Sequence, residues 1–190
     1  SSSDVVVNAN NLDVASGYTA KIDSSGTVTF LSKSTAFGSE YTLSDYSIES
    51  TVSSLQVGKP SNTQNITIGS AVDIDGALTV YGGVVNVDAN LTSAATTGDG
   101  VVIQGQRILQ DNGVDTTTQG ADISYTAANF QSTADGESVV VINGSGANRS
   151  ILNANGGDIT INSSFGGTSA EGGSDRAISF VTADLITSGS

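Results

Sequence analysis

Between Asn65 and Ser93 the chain reads NITIGSAVDIDGALTVYGGVVNVDANLTS, and this rhythm constrains the fold more than any other feature. Apolar residues come in pairs spaced by two: Ile66/Ile68, Val72/Ile74, Leu78/Val80 and Val85/Val87, followed by Leu91. A spacing of two puts both members on one face of a strand. The residue between them (Thr67, Asp73, Thr79, Asn86) faces the other way. Turn formers separate the pairs, at Gly69-Ser70, Asp75-Gly76, Gly82-Gly83 and Asp88-Ala89-Asn90. Strands this short do not hold together as isolated hairpins. They are stable as the sides of a coil that stacks on its neighbours. A β-sandwich is the competing arrangement, but its strands are longer and return less often.

Three such sides predict about 19 residues per coil. An apolar ladder fits that period, at Leu12, Phe30, Ile48, Ile66, Val85, Ile103, Ile123, Ile142, Ile161 and Phe180. The fold predicted is all-β, a parallel β-helix or β-solenoid of about ten coils. It is read as a single unit over residues 1–190, with 1–60 a less regular section and 61–190 regular coils. Pro60 marks the loop between them. Ser39 to Ser54 reads as a short helix or a decorated coil. Phe30 and Phe180 are expected in the core, and Tyr18, Tyr41, Tyr46, Tyr81 and Tyr125 are available to the surface.

Composition narrows the function. Nineteen acidic residues against six basic ones give a net charge of −13. Nucleic-acid binding needs clustered Lys and Arg, and anionic membranes repel such a surface. No apolar run is long enough to span a bilayer. The chain has no His and no Cys, which removes the usual nucleophilic triads and disulfides and makes zinc a poor fit. Ser-Lys chemistry stays formally open at Lys21, Lys33 or Lys59. Carboxylate catalysis would need a pair such as Asp73 and Asp75 with a basic residue, which stacking would have to supply from Arg107 or Arg149. The simpler reading makes Asp75-Gly76 a turn and Asp73 a solvent-facing strand residue.

No cofactor is expected. Calcium is the one metal held open, with Asp73, Asp75 and Asp99 as candidates and Asp135-Gly136-Glu137 as a further fragment of a carboxylate loop. None completes a known calcium motif. Asn65, Asn90, Asn143, Asn148 and Asn162 lie in glycosylation-type triplets. In this Asn-rich chain such residues are expected to form turns or ladders between coils.

Two segments carry a resemblance. VGKPSNTQNITIGSAVDIDGALTVYGGVVNVDANLTS and NGGDITINSSFGG are similar to repeats of filamentous haemagglutinin-type bacterial adhesins. The marks are Gly157 to Asn162 (GDITIN), Tyr81-Gly82-Gly83 and the VNVDANLTS continuation, and the likeness covers roughly residues 55 to 190. It implies a right-handed parallel β-helix, exported across the outer membrane and displayed as a rod. The Asn-Pro-Asn-Gly type of motif typical of the family's secretion domain is absent. The function expected is therefore a structural or adhesive segment of a secreted bacterial cell-surface or extracellular fibre, without catalysis. The alternatives are a polysaccharide lyase or hydrolase, and a self-assembling matrix filament subunit without receptor specificity. Expected partners are further copies or a continuation of the same coil, and a host surface or polysaccharide.

Overall fold

The computed structural model describes residues 3–12, 14, 15, 17–131, 137–165 and 176–188. Within them the chain is all-β, and its only helical element is a single 3-10 turn at Leu43–Asp45. The opening section holds β1 (Val5–Asn8), β2 (Ala20–Ile22), β3 (Thr27–Leu31), β4 (Tyr41–Thr42) and β5 (Tyr46–Ile48). From there the chain repeats a three-strand circuit. The first circuit is β6 (Ser54–Val57), β7 (Ile66–Ile68) and β8 (Val72–Ile74), and the second is β9 (Ala77–Tyr81), β10 (Val84–Val87) and β11 (Leu91–Ser93). The third is β12 (Asp99–Gly105), β13 (Arg107–Gln110) and β14 (Asp115–Thr118). The fourth is β15 (Asp122–Phe130), β16 (Ser138–Ile142) and β17 (Ser150–Asn153). The last is β18 (Ile159–Phe165), β19 (Arg176–Phe180) and β20 (Ala183–Ile186).

Each strand of a circuit joins a different sheet and pairs in parallel with its counterparts in the neighbouring circuits. A seven-stranded sheet runs β1-β3-β6-β9-β12-β15-β18, a six-stranded one β4-β7-β10-β13-β16-β19, and a five-stranded one β8-β11-β14-β17-β20. β2 and β5 form a separate pair. Beyond β5, Asp75 N donates to Ser50 O at 2.8 Å, which links that section to the end of β8.

The pairing step is not uniform. Ile66 opposes Val85 and Val72 opposes Leu91, both 19 residues apart. Leu55 to Leu78 to Val101 is 23 each time, Ile123 to Ile159 is 36, and Val140 to Ile178 is 38. The even ladder read from the sequence is thus not one column of stacked residues. Phe30 and Ile103 lie in the seven-stranded sheet, Val85 and Ile142 in the six-stranded one, and Ile48 in the separate pair. Seven strands along the longest sheet also replace the expected ten coils. The physical reason is that both the corners and the strands vary in length. Between the seven- and six-stranded sheets the described corners are 58–65, 82–83 and 106.

The interior is one continuous apolar cluster fed by all three sheets. In the seven-stranded sheet Val28, Leu55, Leu78, Val101 and Ile123 stack as register partners. In the six-stranded sheet Ile66, Val85, Ile108 and Val140 do the same, and all of these are buried. Each such side chain contributes about 1.5–3 kcal/mol. The apolar pairs from Ile66 to Leu91 fall on β7 to β11 with the expected inward faces.

The pattern breaks where the third circuit meets the fourth. Gln110 on β13, Thr116 on β14 and Tyr125 on β15 occupy inward slots and are buried together. The Tyr125 hydroxyl lies 2.8 Å from both Gln110 Oε1 and Thr116 Oγ1, and Gln110 Nε2 donates to Val114 O at 2.6 Å. Tyr125 is therefore a core residue, not the surface residue its type suggests. Tyr41 is also buried, stacked on Phe37 with ring centroids 5.3 Å apart. Phe180, expected in the core, is 48% exposed because no strand lies beyond β19 among the described residues.

Asx side chains tie one circuit to the next where the backbone turns. Asp4 accepts from Thr27 N, Asn65 from Val84 N, Asn90 from Asp115 N, Asp115 from Ile151 N and Asp122 from Asp158 N, all at 2.8–3.0 Å. Asn65 and Asn90, two of the glycosylation-type asparagines, are engaged in this way.

Candidate functional site

A groove of about 260 Å³ lies at the corner between the seven- and six-stranded sheets. Its origin is the unequal corner length. The corner 58–65 stands proud on one side, and the end of β15 does so on the other. Between them Gly82-Gly83 and Gln106 turn so tightly that the surface is recessed. Glycine is required there. A Cβ on Gly83 would sit 2.3 Å from Thr63 O, and one on Gly105 would sit 2.8 Å from Gly83 O. The backbone closes the floor from circuit to circuit, with Gly83 N donating to Gln64 O at 2.8 Å and Gln106 N donating to Gly83 O at 2.7 Å.

Asn62 fixes the first wall. Its Nδ2 donates to Tyr81 O at 2.9 Å and its Oδ1 accepts from Phe37 N at 3.1 Å. The second wall comes from a bulge. Pairing between β15 and β18 shifts register after Ala127, and Asn129 takes a left-handed conformation with φ 64°. Bulges of this kind re-aim side chains at the edge of a sheet. Behind the bulge the Arg107 guanidinium lies 5.0 Å from the Phe130 ring centroid and 3.0 Å from Glu137. Along the groove Tyr81, Gln104 and Thr126 are register partners on successive rungs and point outward. Among the described residues no charged side chain lines the groove.

A second groove, of about 250 Å³, holds Asn86, Asp88, Asp111 and Asn143 at the corner that follows the six-stranded sheet. Asp88 and Asp111 sit one rung apart, since Val87 opposes Gln110. Burial, then the Asp111 charge, holds the Asp88 carboxyl above its ordinary value. This is the carboxylate pair that sequence reasoning missed. The signal was available only through a 23-residue step, not a local motif. No basic residue lines this groove.

The sequence candidates for a metal do not converge. Asp73 is an outward residue of β8 opposite Thr92, Asp75 is at the turn before β9, and Asp99 begins β12 opposite Asp122. Among the described residues no group of three Asp or Glu side chains is arranged to hold a cation. Asp135 and Gly136 lie outside the described residues, and Glu137 pairs with Arg107. Gly76 confirms the turn reading of its segment, because a Cβ there would fall 1.6 Å from Ser53 O. Arg149 binds Asp184 through Nε at 2.5 Å and through Nη2, away from both grooves. Lys21 pairs with Glu49 at 3.1 Å, and Lys59 donates to Ser32 O at 3.0 Å. Neither forms a Ser-Lys pair. Among the described residues no helix is long and apolar enough to cross a membrane. The chain matches no protein-family model, no curated protein and no solved structure.

Proposed function

We propose that this chain is a right-handed β-solenoid serving as a structural or adhesive segment of a secreted bacterial cell-surface or extracellular fibre. Parallel crossover connections take the right-handed path in nearly all cases, which supports the handedness. Stacked parallel strands with circuit-to-circuit pairing support the solenoid. The resemblance of Gly157 to Asn162 and Tyr81 to Gly83 to haemagglutinin-type adhesin repeats supports the setting.

One observation carries the fibre reading. In β18, β19 and β20 the inward residues are only half-covered, whereas their partners one circuit earlier are buried. Phe180 and Leu185 are 48% and 46% exposed, beside partners Ile142 and Leu152 at 0%. The outer edges of these strands also keep unpaired backbone groups that another parallel rung would satisfy. A further rung, from a second copy docked head-to-tail or from a continuation of the same coil, would supply these partners and extend the rod. The acidic flanks oppose lateral clumping and favour axial growth.

The test is sedimentation with negative-stain microscopy of the chain and of Phe180→Glu. Concentration-dependent rods that are lost in the variant are expected. A particle of 19.0 kDa at every concentration, with the Phe180 surface open, overturns the fibre reading.

A further inference from the structure

We infer that the corner groove between the seven- and six-stranded sheets is a binding site for a neutral glycan. This gives the adhesive part of the proposed function its ligand class and rests on that part, not on the fibre part.

The groove is built, not incidental. Two long walls flank two minimal turns, and three glycines at positions where a Cβ would strike backbone oxygen or a packed side chain keep the floor bare. Its polar groups are free. The side chains of Gln104, Gln106, Thr126 and Asn129 make no hydrogen bond among the described residues, while Asn62 beside them is fully committed. Three primary amides and a hydroxyl offer donors and acceptors together, which is what a polyhydroxylated ligand presents in return. Tyr81 adds an aromatic face and a phenolic hydroxyl on the first rung. An amphipathic ring of this kind covers the apolar face of a sugar.

Charge selects the class. Among the described residues no Lys, Arg, Asp or Glu lines the groove, and the chain carries a net charge of −13. Sulfated or uronic-acid polymers find no cation there and meet a repulsive field. Geometry favours a chain-like ligand. Tyr81, Gln104 and Thr126 recur on rungs about 4.8 Å apart, close to the length of one pyranose unit. Successive sugars can therefore meet successive rungs. The described lining offers amides, a hydroxyl and an aromatic ring, groups that bind a sugar chain rather than the carboxylate pair that cleaves one.

The experiment is a titration of ¹⁵N-labelled protein with cellotetraose, maltotetraose, chitotetraose and a heparin-derived tetrasaccharide, followed by amide shifts. At least one neutral oligosaccharide is expected to move the side-chain amide signals of Gln104, Gln106 and Asn129. The exposed double variant Gln104→Ala/Gln106→Ala should weaken that binding about tenfold, and Asn86→Ala in the other groove should leave it unchanged. Saturating neutral glycans without shifts at these amides, shifts that survive the double variant, or preferential binding of the heparin fragment would each overturn the proposal. Rod formation in microscopy is read separately, so the fibre and the groove can fail independently.

Discussion

Removing one oxygen from the interior, in Tyr125→Phe, tests whether the buried polar circuit contributes to stability as its geometry implies. The wild-type hydroxyl bridges Gln110 Oε1 and Thr116 Oγ1 at 2.8 Å each, in a site closed to solvent. Without it, the only remaining link between those side chains is Thr116 Oγ1 to Gln110 Oε1 at 3.4 Å. Leaving a buried acceptor poorly satisfied costs about 1–3 kcal/mol, whereas the ring itself stays packed. Ile123→Ala on the same strand removes apolar volume and should cost more, about 2–5 kcal/mol. Stacked repeats do not always unfold in one step. The assay is therefore urea unfolding combined with hydrogen exchange at the amides of β13, β14 and β15. A Tyr125→Phe loss below about 0.5 kcal/mol, or one as large as that of Ile123→Ala, would refute the reasoning.

Alkaline pH probes the same burial. Burial pushes the Tyr125 and Tyr41 phenols above their ordinary value. Both stay protonated in the folded chain where the unfolded chain ionises, so their contribution is complete below about pH 10 and falls above it by up to about 2.7 kcal/mol per pH unit for the two. Melting curves from pH 8 to 12 should show this, with a shallower fall in Tyr125→Phe. The raised Asp88 carboxyl acts in the opposite sense to a salt-bridged Asp: its charge works against folding once pH rises through the folded value. Asp88→Asn should raise the melting temperature at pH 7 and lose that advantage below pH 4. Gly76→Ala and Gly98→Ala should separate contact from conformation. The first drives a Cβ into Ser53 O and should cost about 3 kcal/mol or prevent folding. The second has open space at φ +68° and should cost about 1–2 kcal/mol in thermal melts.

The sequence was most legible where corners are short. From Ile66 to Leu91 each strand and each inward face follows from spacing alone, because two or three turn residues separate the strands. The long-range period was not legible. Counting residues treats every corner alike, but the step between paired rungs grows from 19 at Ile66–Val85 to 38 at Val140–Ile178. Side-chain type misled at Tyr125 for a related reason. A phenol reads as a surface group until Gln110 and Thr116, fifteen and nine residues away, are brought into the same interior layer. Asp88 and Asp111 escaped notice because they face each other only across a circuit.

The feature that hides the period is also the one that shapes the surface. A stack of equal corners would present a flat ridge along each edge. Here the corner 58–65 and the bulged end of β15 leave Gly82-Gly83 and Gln106 recessed between them. Strand pairing and the apolar interior tolerate that variation, because loop insertions add little closure cost and touch no inward slot. The scaffold can therefore keep its core register fixed while corner length alone sets where a ligand-sized depression falls. Lengthening the corner at 82–83 with Ser and Asn residues should fill the groove without disturbing Leu78–Val80 or Val85–Val87. The measurement is circular dichroism and melting temperature alongside glycan titration. Retained β signal with lost binding is the expected result. Loss of fold would mean that the tight turn is needed for register, and that corner length is not free to vary.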